Sequence, residues 1–282
     1  MSGGTPRSNA RGAGFSRGRL LLALAIAAIS IIGYCNGQVE NPVTGERQYV
    51  DLSPEQEIAL GVQAAPEMAA QHGGLYPDER VQQLADRVGG EIVSRTRVRE
   101  TPYQFDFHVL ADEQVVNAFA LPGGQVFITA ALMNRMNSIG QLAGVLGHEI
   151  GHVVARHGAE HLAKAKLTQG LTGAAVLATY DPSNPSSRGS AAVAALIGQV
   201  VNLKFGREDE LESDRLGVHL MAQAGYDPQS MLDVMRILAE AAQGPRPPEF
   251  FSTHPNPENR LDYIERAIHA EFPDGVPEGL TR

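Results

Sequence analysis

The sequence predicts an α+β domain, mainly helical, with a small β-sheet beside the helix that carries a paired-histidine motif. Three observations carry that expectation. Apolar residues recur at helical spacing through most of the chain, as at Val81, Leu84, Val88 and Ile92. Phe105, Phe107 and Val109 alternate with Asp106, His108 and Leu110, which suits a strand. NAFALPGGQVFITAAL then holds two more extended pieces, joined by Pro122-Gly123-Gly124.

Residues 1–37 stand apart from this body. Arg7, Arg11, Arg17 and Arg19 precede LLLALAIAAISII, an uncharged apolar run. A basic stretch followed by such a run reads as an export signal or membrane anchor, with the arginines on the cytoplasmic side. The run is shorter than the roughly 20 residues of a comfortable spanning helix. IIGYC places Tyr34 where a lipoprotein cleavage box has Gly or Ala, so an anchor is preferred to lipidation at Cys35. The body is therefore expected in the cell envelope, outside the cytoplasm.

Residues 38–52, with the turn-rich NPVTGERQ, read as a linker to a domain over 53–270. Ser53-Pro54-Glu55-Gln56 opens the first helix of that domain, with Ser as N-cap and Pro at the first helical position. Leu75-Tyr76-Pro77-Asp78 ends it and starts the next, which runs to about Ser94. After the extended pieces the chain reads helical almost to the end, broken at 181–189, 225–228 and 244–250, with 271–282 as a tail. The segments 167–179 and 191–203 are rich in Ala, Val, Leu and Gly. Each is too short to span a membrane comfortably, so buried helices are expected there.

With 282 residues, 43% hydrophobic and 20% charged, the chain is long enough for a sizeable core. A net charge of -9 argues against a nucleic-acid binder, which would show a basic face. The absence of Trp and an aromatic share of 6% leave few platforms for stacking sugars or bases. The single cysteine excludes both an internal disulfide and a zinc site built on several thiolates. Any zinc ligands must then be His and Asp or Glu.

GHEIGH at 147–152 offers such ligands. Residues four apart in a helix are rotated by about 40° and rise about 6 Å, so His148 and His152 can donate two nitrogens to one metal. Glu149 lies about 100° round, where it can reach a metal-bound water without ligating the metal. Leu142, Val145, Leu146, Ile150 and Val153 make the segment apolar. Two buried imidazoles and a buried carboxylate would be costly there without a partner such as zinc.

His157 and His161 form an inverted HxxEH pattern with Glu160. On a straight helix His157 points about 180° from His148 and about 140° from His152, so the two pairs do not easily share a metal. His157 and His161 are expected behind the ligands or at the surface. A third ligand is needed, and REDELESD at 207–214 is the candidate, offering Glu208, Glu210 and Glu212. Glu210 shares an inward stripe with Asp214, Val218 and Met221, while Glu208 and Glu212 are rotated about 160° from it. Glu210 can ligate, and Asp214 can accept a hydrogen bond from the far nitrogen of a ligating histidine.

GHEIGHVVARH, ELESDRLG and THPNPENRL, with NAFALPGG at 117–124, resemble the HtpX-like and CAAX prenyl endopeptidase family of zinc metallopeptidases over roughly 53–270. That resemblance implies a zincin fold, envelope residence, one Zn²⁺ per subunit, and HExxH followed by ExxxD at His148, Glu149, His152, Glu210 and Asp214. Ser213 stands where the family usually has Ala. The resemblance also implies that His254, in THP, approaches the metal as an electrophile or resting-state ligand. Asn117, Ala118, Gly123 and Gly124 are expected to bind substrate as an added strand, the glycines leaving room for close approach. The sequence thus reads as an endopeptidase acting on proteins or peptides through Glu149, tethered by its N-terminal segment. The rival reading is a non-catalytic, zinc-stabilised envelope chaperone or assembly factor, which would have no need of Glu149.

Overall fold

The computed structural model describes residues 17–179, 204–244, 247–256 and 259–282. Helix α1 (Arg17–Asn36) leads into a hairpin of β1 (Gln38–Glu40) and β2 (Arg47–Tyr49), paired antiparallel with Gln38 opposite Tyr49. Among the described residues no helix is long and apolar enough to cross a membrane.

The hairpin does more than link. Asn41 and Gln48 are buried, and their side-chain amides donate to the carbonyls of Val154 and Ala155. Those carbonyls end the histidine-bearing helix and have no partner within it, so the hairpin caps that helix.

Helix α2 (Pro54–Gln71) starts as expected, with a capping box between Ser53 and Gln56, and α3 (Glu79–Arg95) is capped by Asp78. The sheet has three strands in the order β3 (Asp106–Leu110), β5 (Gln125–Thr129), β4 (Ala118–Ala120). β3 runs parallel to β5, with Phe107 opposite Val126; β4 runs antiparallel to it, with Phe119 opposite Phe127. β5 is central and buried at every residue, including Gln125 and Thr129 at its ends.

After the short α4 (Ala130–Met133), α5 (Ile139–Val154) forms the centre of the domain, buried from Gly140 to Val154. Its Leu142, Leu146 and Ile150 pack in one core with Val88 and Ile92 of α3 and with Val109 and Ile128 of the sheet. Helices α6 (His157–Thr179), α7 (Arg207–Ala224), α8 (Gln229–Ala242), α9 (Phe250–Thr253) and α10 (Arg260–Glu271) complete the fold.

α1 packs along α6. The described part of the 167–179 segment, Leu167 to Leu171, is half-exposed to exposed rather than buried, because α6 runs out beside α1 instead of crossing the core. The 191–203 segment and the break at 181–189 lie outside the described residues. The break at 225–228 follows Gly225, whose φ of 92° supplies the left-handed cap of α7.

α5 and α7 cross closely. A Cβ on Gly151 would lie 2.6 Å from Ser213 Oγ, and one on Gly217 would lie 3.1 Å from the backbone nitrogen of His148. Small residues at this crossing let the acidic helix approach the histidines. Ser213 also donates its hydroxyl to the carbonyl of His148, a bond that alanine would not make.

Candidate metal centre

His148 and His152 project from one face of α5 with their Nε2 atoms 3.0 Å apart. Across the helix crossing, Glu210 of α7 puts Oε2 at 3.5 Å from His148 Nε2 and Oε1 at 3.4 Å from His152 Nε2. His254, at the end of α9, brings Nδ1 to 2.9 Å from Glu210 Oε1 and 3.4 Å from His148 Nε2. One donor atom from each of the four lies within 4.8 Å of the others, and all four residues are buried.

These atoms suit zinc. A tetrahedral site with bonds of about 2.0–2.1 Å sets two nitrogens a little over 3 Å apart, and His and carboxylate ligands are its usual company. His254 Nε2 is buried without a hydrogen-bond partner, and Glu210 Oε2 is buried with an ion-pair contact from Arg260 Nη1 but no hydrogen bond. Neither oxygen of Glu149 has one, and that residue is wholly buried. Glu149 Oε1 faces His254 Nε2 at 3.6 Å, longer than a hydrogen bond. The carboxylate therefore stands beside the cluster, on the flank expected from its position in the helix.

The surroundings set the charges. Asp214 lies one turn beyond Glu210, with Oδ1 2.9 Å from His148 Nδ1. Burial would lower the His148 pKa, but its contacts with Asp214 and Glu210 outweigh burial and hold it up at about 9. Burial drives His152 well below the ordinary imidazole value. Burial would raise Glu210, yet the charge of His254 and the bonds from His148, His152 and His254 hold it far below. For Glu149 burial wins, and its pKa is raised despite His254 and His148.

The structure also shows a residue the sequence reading did not single out. Arg260, at the first turn of α10, is buried and donates from Nε and Nη2 to both oxygens of Asp214, with Nη1 3.1 Å from Glu210 Oε2. Arg260 is spaced four and eight residues from Ile264 and Ile268 and shares the buried stripe of that helix. Two aromatic rings complete the wall. Phe205 stacks on His152 at 3.9 Å and Phe250 on His254 at 4.3 Å.

The other expected residues divide. Glu208 is exposed and Glu212 half-buried, both away from the cluster. His161 pairs with Asp209 at 2.7 Å, and His157 is buried behind His152. α5 and α6 are not one straight helix, because Arg156 adopts φ 60° between them and redirects the chain. Asn117 is buried, its backbone bonded to Thr129. Ala118 lies in β4, the edge strand. At Gly123 and Gly124, φ is 89° and 116°, and an added Cβ would meet Ile58 Cα at 2.3 Å and the Gln104 carbonyl at 2.4 Å. The positions a Cβ would take at these glycines are occupied by the chain's own backbone.

Residues 78–268 match the sequence profile of peptidase family M48. The chain is 32% identical over 256 residues to the beta-barrel assembly-enhancing protease of Escherichia coli (strain K12), covering 86% of this chain and 50% of that protein. It is 36% identical over 173 residues to the mitochondrial metalloendopeptidase OMA1 of Bos taurus, covering 57% of this chain and 32% of that one. The fission yeast (Schizosaccharomyces pombe) OMA1 is 30% identical over 227 residues, with 79% and 64% covered. The chain thus spans about half the length of its bacterial relative.

Proposed function

The chain belongs to peptidase family M48, and from that premise we propose that it is a zinc-dependent endopeptidase of the cell envelope that hydrolyses peptide bonds in proteins. The observation that carries this reading is Glu149, a wholly buried carboxylate with both oxygens unpartnered beside a converging set of metal donors. A purely structural zinc site has no use for such a group, and leaving it unpaired is costly.

His148, His152 and Glu210 hold the zinc in this reading, and Asp214 orients His148 through Nδ1. Bound zinc supplies Lewis acidity towards water and the scissile carbonyl. Glu149 takes the proton of the attacking water on a carboxylate oxygen and returns it to the leaving amine. Burial raises its basicity for that task. His254, beside both Glu149 and Glu210, would supply either a fourth nitrogen to the metal or a hydrogen-bond donor to the reacting carbonyl oxygen.

Substrate pairs with β4 in an extended form. Asn117, Phe119 and Leu121 direct their backbone groups to β5, so Ala118 and Ala120 direct theirs to the other side of the strand. Gly123 and Gly124 shape the turn that presents this strand.

Within the family, the motif run through THPNPENRL also supports the narrower likeness to HtpX-like and CAAX prenyl endopeptidases, whereas the relatives above carry other names. Those names support a role in envelope protein quality control. The apolar face of α1, with Leu21, Leu24, Ile29 and Ile32 more than half exposed, supports attachment to a membrane.

The test is zinc content and cleavage of unfolded casein by the full chain, with and without a chelator, beside Glu149→Gln. Zinc retained without cleavage in that variant is expected. Casein cleavage at the wild-type rate by Glu149→Gln would leave the chaperone or assembly-factor reading standing and the peptidase mechanism without its base.

A further inference from the structure

We propose that His157 and Glu212 are positioning residues for His152, fixing the tautomer in which that histidine can ligate a metal. His152 Nδ1 lies 2.9 Å from His157 Nδ1, and His157 Nε2 lies 3.2 Å from Glu212 Oε2. His157 is almost wholly buried, while Glu212 reaches a polar cavity of about 380 Å³ lined also by Arg47, Glu160, Lys164 and Tyr263. A chain of three side chains therefore runs from the metal centre to solvent.

Its proton arrangement is determined. A neutral imidazole has one donor and one acceptor nitrogen. With its Nε2 turned to His148 and Glu210, His152 ligates only if that nitrogen is bare, so its proton sits on Nδ1. His157 Nδ1 must then accept, which leaves the His157 proton on Nε2, donated to the Glu212 carboxylate. The reverse assignment sets a bare His157 nitrogen against a carboxylate and a His152 proton towards the metal donors. Glu212 thus selects the tautomer of His157, and His157 that of His152.

The backbone is built for this contact. Arg156, at φ 60°, breaks the helix and returns His157 towards His152. Its side chain is held in that conformation by Glu57 and the carbonyl of Leu52. The two histidines of the HExxH motif consequently differ, His148 meeting its carboxylate directly and His152 meeting one through a second imidazole.

The inference rests on the ligand role proposed for His152, and the experiment separates the two. Zinc affinity of the full chain is measured by competition with a chromogenic chelator, with the melting temperature of the zinc-free protein recorded alongside. His157→Phe keeps a ring and removes the acceptor, so affinity should fall about 10–100-fold. His157→Asn places Oδ1 where Nδ1 stood and should stay within about threefold of wild type. Glu212→Ala should weaken zinc several-fold in the wild-type background and not at all in His157→Asn, since an amide oxygen has no tautomer to select.

Wild-type affinity in His157→Phe, or equal losses in the Asn and Phe variants at equal zinc-free stability, would overturn the proposal. If His157→Phe does not fold, the Glu212→Ala comparison in the two backgrounds decides it. His152→Ala is the control. Zinc affinity unchanged in that variant would remove the ligand role itself, whereas loss there with none in His157→Phe would remove this inference alone.

Discussion

Arg260 holds Asp214 by two parallel bonds, Nε to Oδ2 at 2.7 Å and Nη2 to Oδ1 at 2.9 Å, in the buried layer directly behind His148. Burial alone would raise the Asp214 pKa, but Arg260 and then His148 outweigh it and hold it below the ordinary 3.8. Truncating one partner of a buried pair strands the other, at a cost of about 3–5 kcal/mol. Arg260→Met should therefore lower the zinc-free stability by that amount in urea denaturation. Arg260→Lys, which keeps the charge without the fork, should fall between.

The same pair gives a pH signature. A carboxylate with a depressed folded pKa stabilises fully above its unfolded pKa and loses that contribution as pH falls through the folded value. The gap between wild type and Arg260→Met should be full at neutral pH and narrow as acid protonates Asp214, last in wild type, where its pKa is held below the ordinary 3.8. A gap independent of pH would place the effect in packing alone.

Glu149 carries the opposite sign. Its pKa is raised above the ordinary 4.5, mainly by burial. The folded state then binds a proton that the unfolded state has released, so stability falls as pH rises from 4.5 through the folded value. Glu149→Gln removes this loss. The zinc-free variant should melt higher than wild type near pH 7, with the advantage shrinking towards pH 4.5.

Much of this arrangement was legible in the sequence, for reasons that differ between residues. His148, Glu149 and His152 lie within one helix, where spacing alone fixes direction. Glu210 and Asp214 were legible because they share a stripe with apolar residues. Arg260 was not, because its partners are 46 and 50 residues away and a lone arginine ahead of two isoleucines reads as a solvated first turn. His157 was placed on a straight helix, and the positive φ of Arg156, which no propensity foretells, turned it back. Gly123 and Gly124 were read as positions of close approach for a substrate strand, and within the fold the backbone of α2 and Gln104 lies against them.

The α5–α7 crossing gives a geometric prediction. A methyl group at Gly151 would meet Ser213 Oγ at 2.6 Å and Ser213 O at 3.0 Å, so the helices must part. Overpacking of this kind costs about 1–3 kcal/mol. Gly151→Ala should lower both stability and zinc affinity, since Glu210 rides on the displaced helix. Adding Ser213→Ala removes the nearer clash and should recover part of each, read by thermal melts and zinc competition.

Attachment through α1 can be tested without disturbing the domain. Leu21 is 67% exposed and Ile32 58% exposed, so a glutamate at either should change stability little. The wild-type chain should co-float with phospholipid vesicles, and the double variant Leu21→Glu/Ile32→Glu should not, while keeping its zinc content. Equal flotation of the two would remove α1 as the membrane contact.

The last prediction separates the three glutamates of the acidic helix. Glu208 is exposed, Glu212 reaches His157, and only Glu210 is wholly buried against both motif histidines. Removing a carboxylate that binds the metal itself removes most of the affinity, whereas removing a group that orients a ligand costs about 10–100-fold. Glu210→Gln should therefore lose zinc and all cleavage. Asp214→Asn keeps an oxygen near His148 Nδ1 but gives up the charge that pairs with Arg260, so both affinity and turnover should weaken without vanishing. Glu208→Gln, with its side chain in water, should match wild type within about twofold, as surface changes usually do. Zinc content by atomic absorption and casein cleavage on the three purified variants give the order directly. Zinc retained in Glu210→Gln and lost in Glu208→Gln would mean that α7 presents its other face to the metal, contrary to the crossing that Gly151 and Gly217 permit.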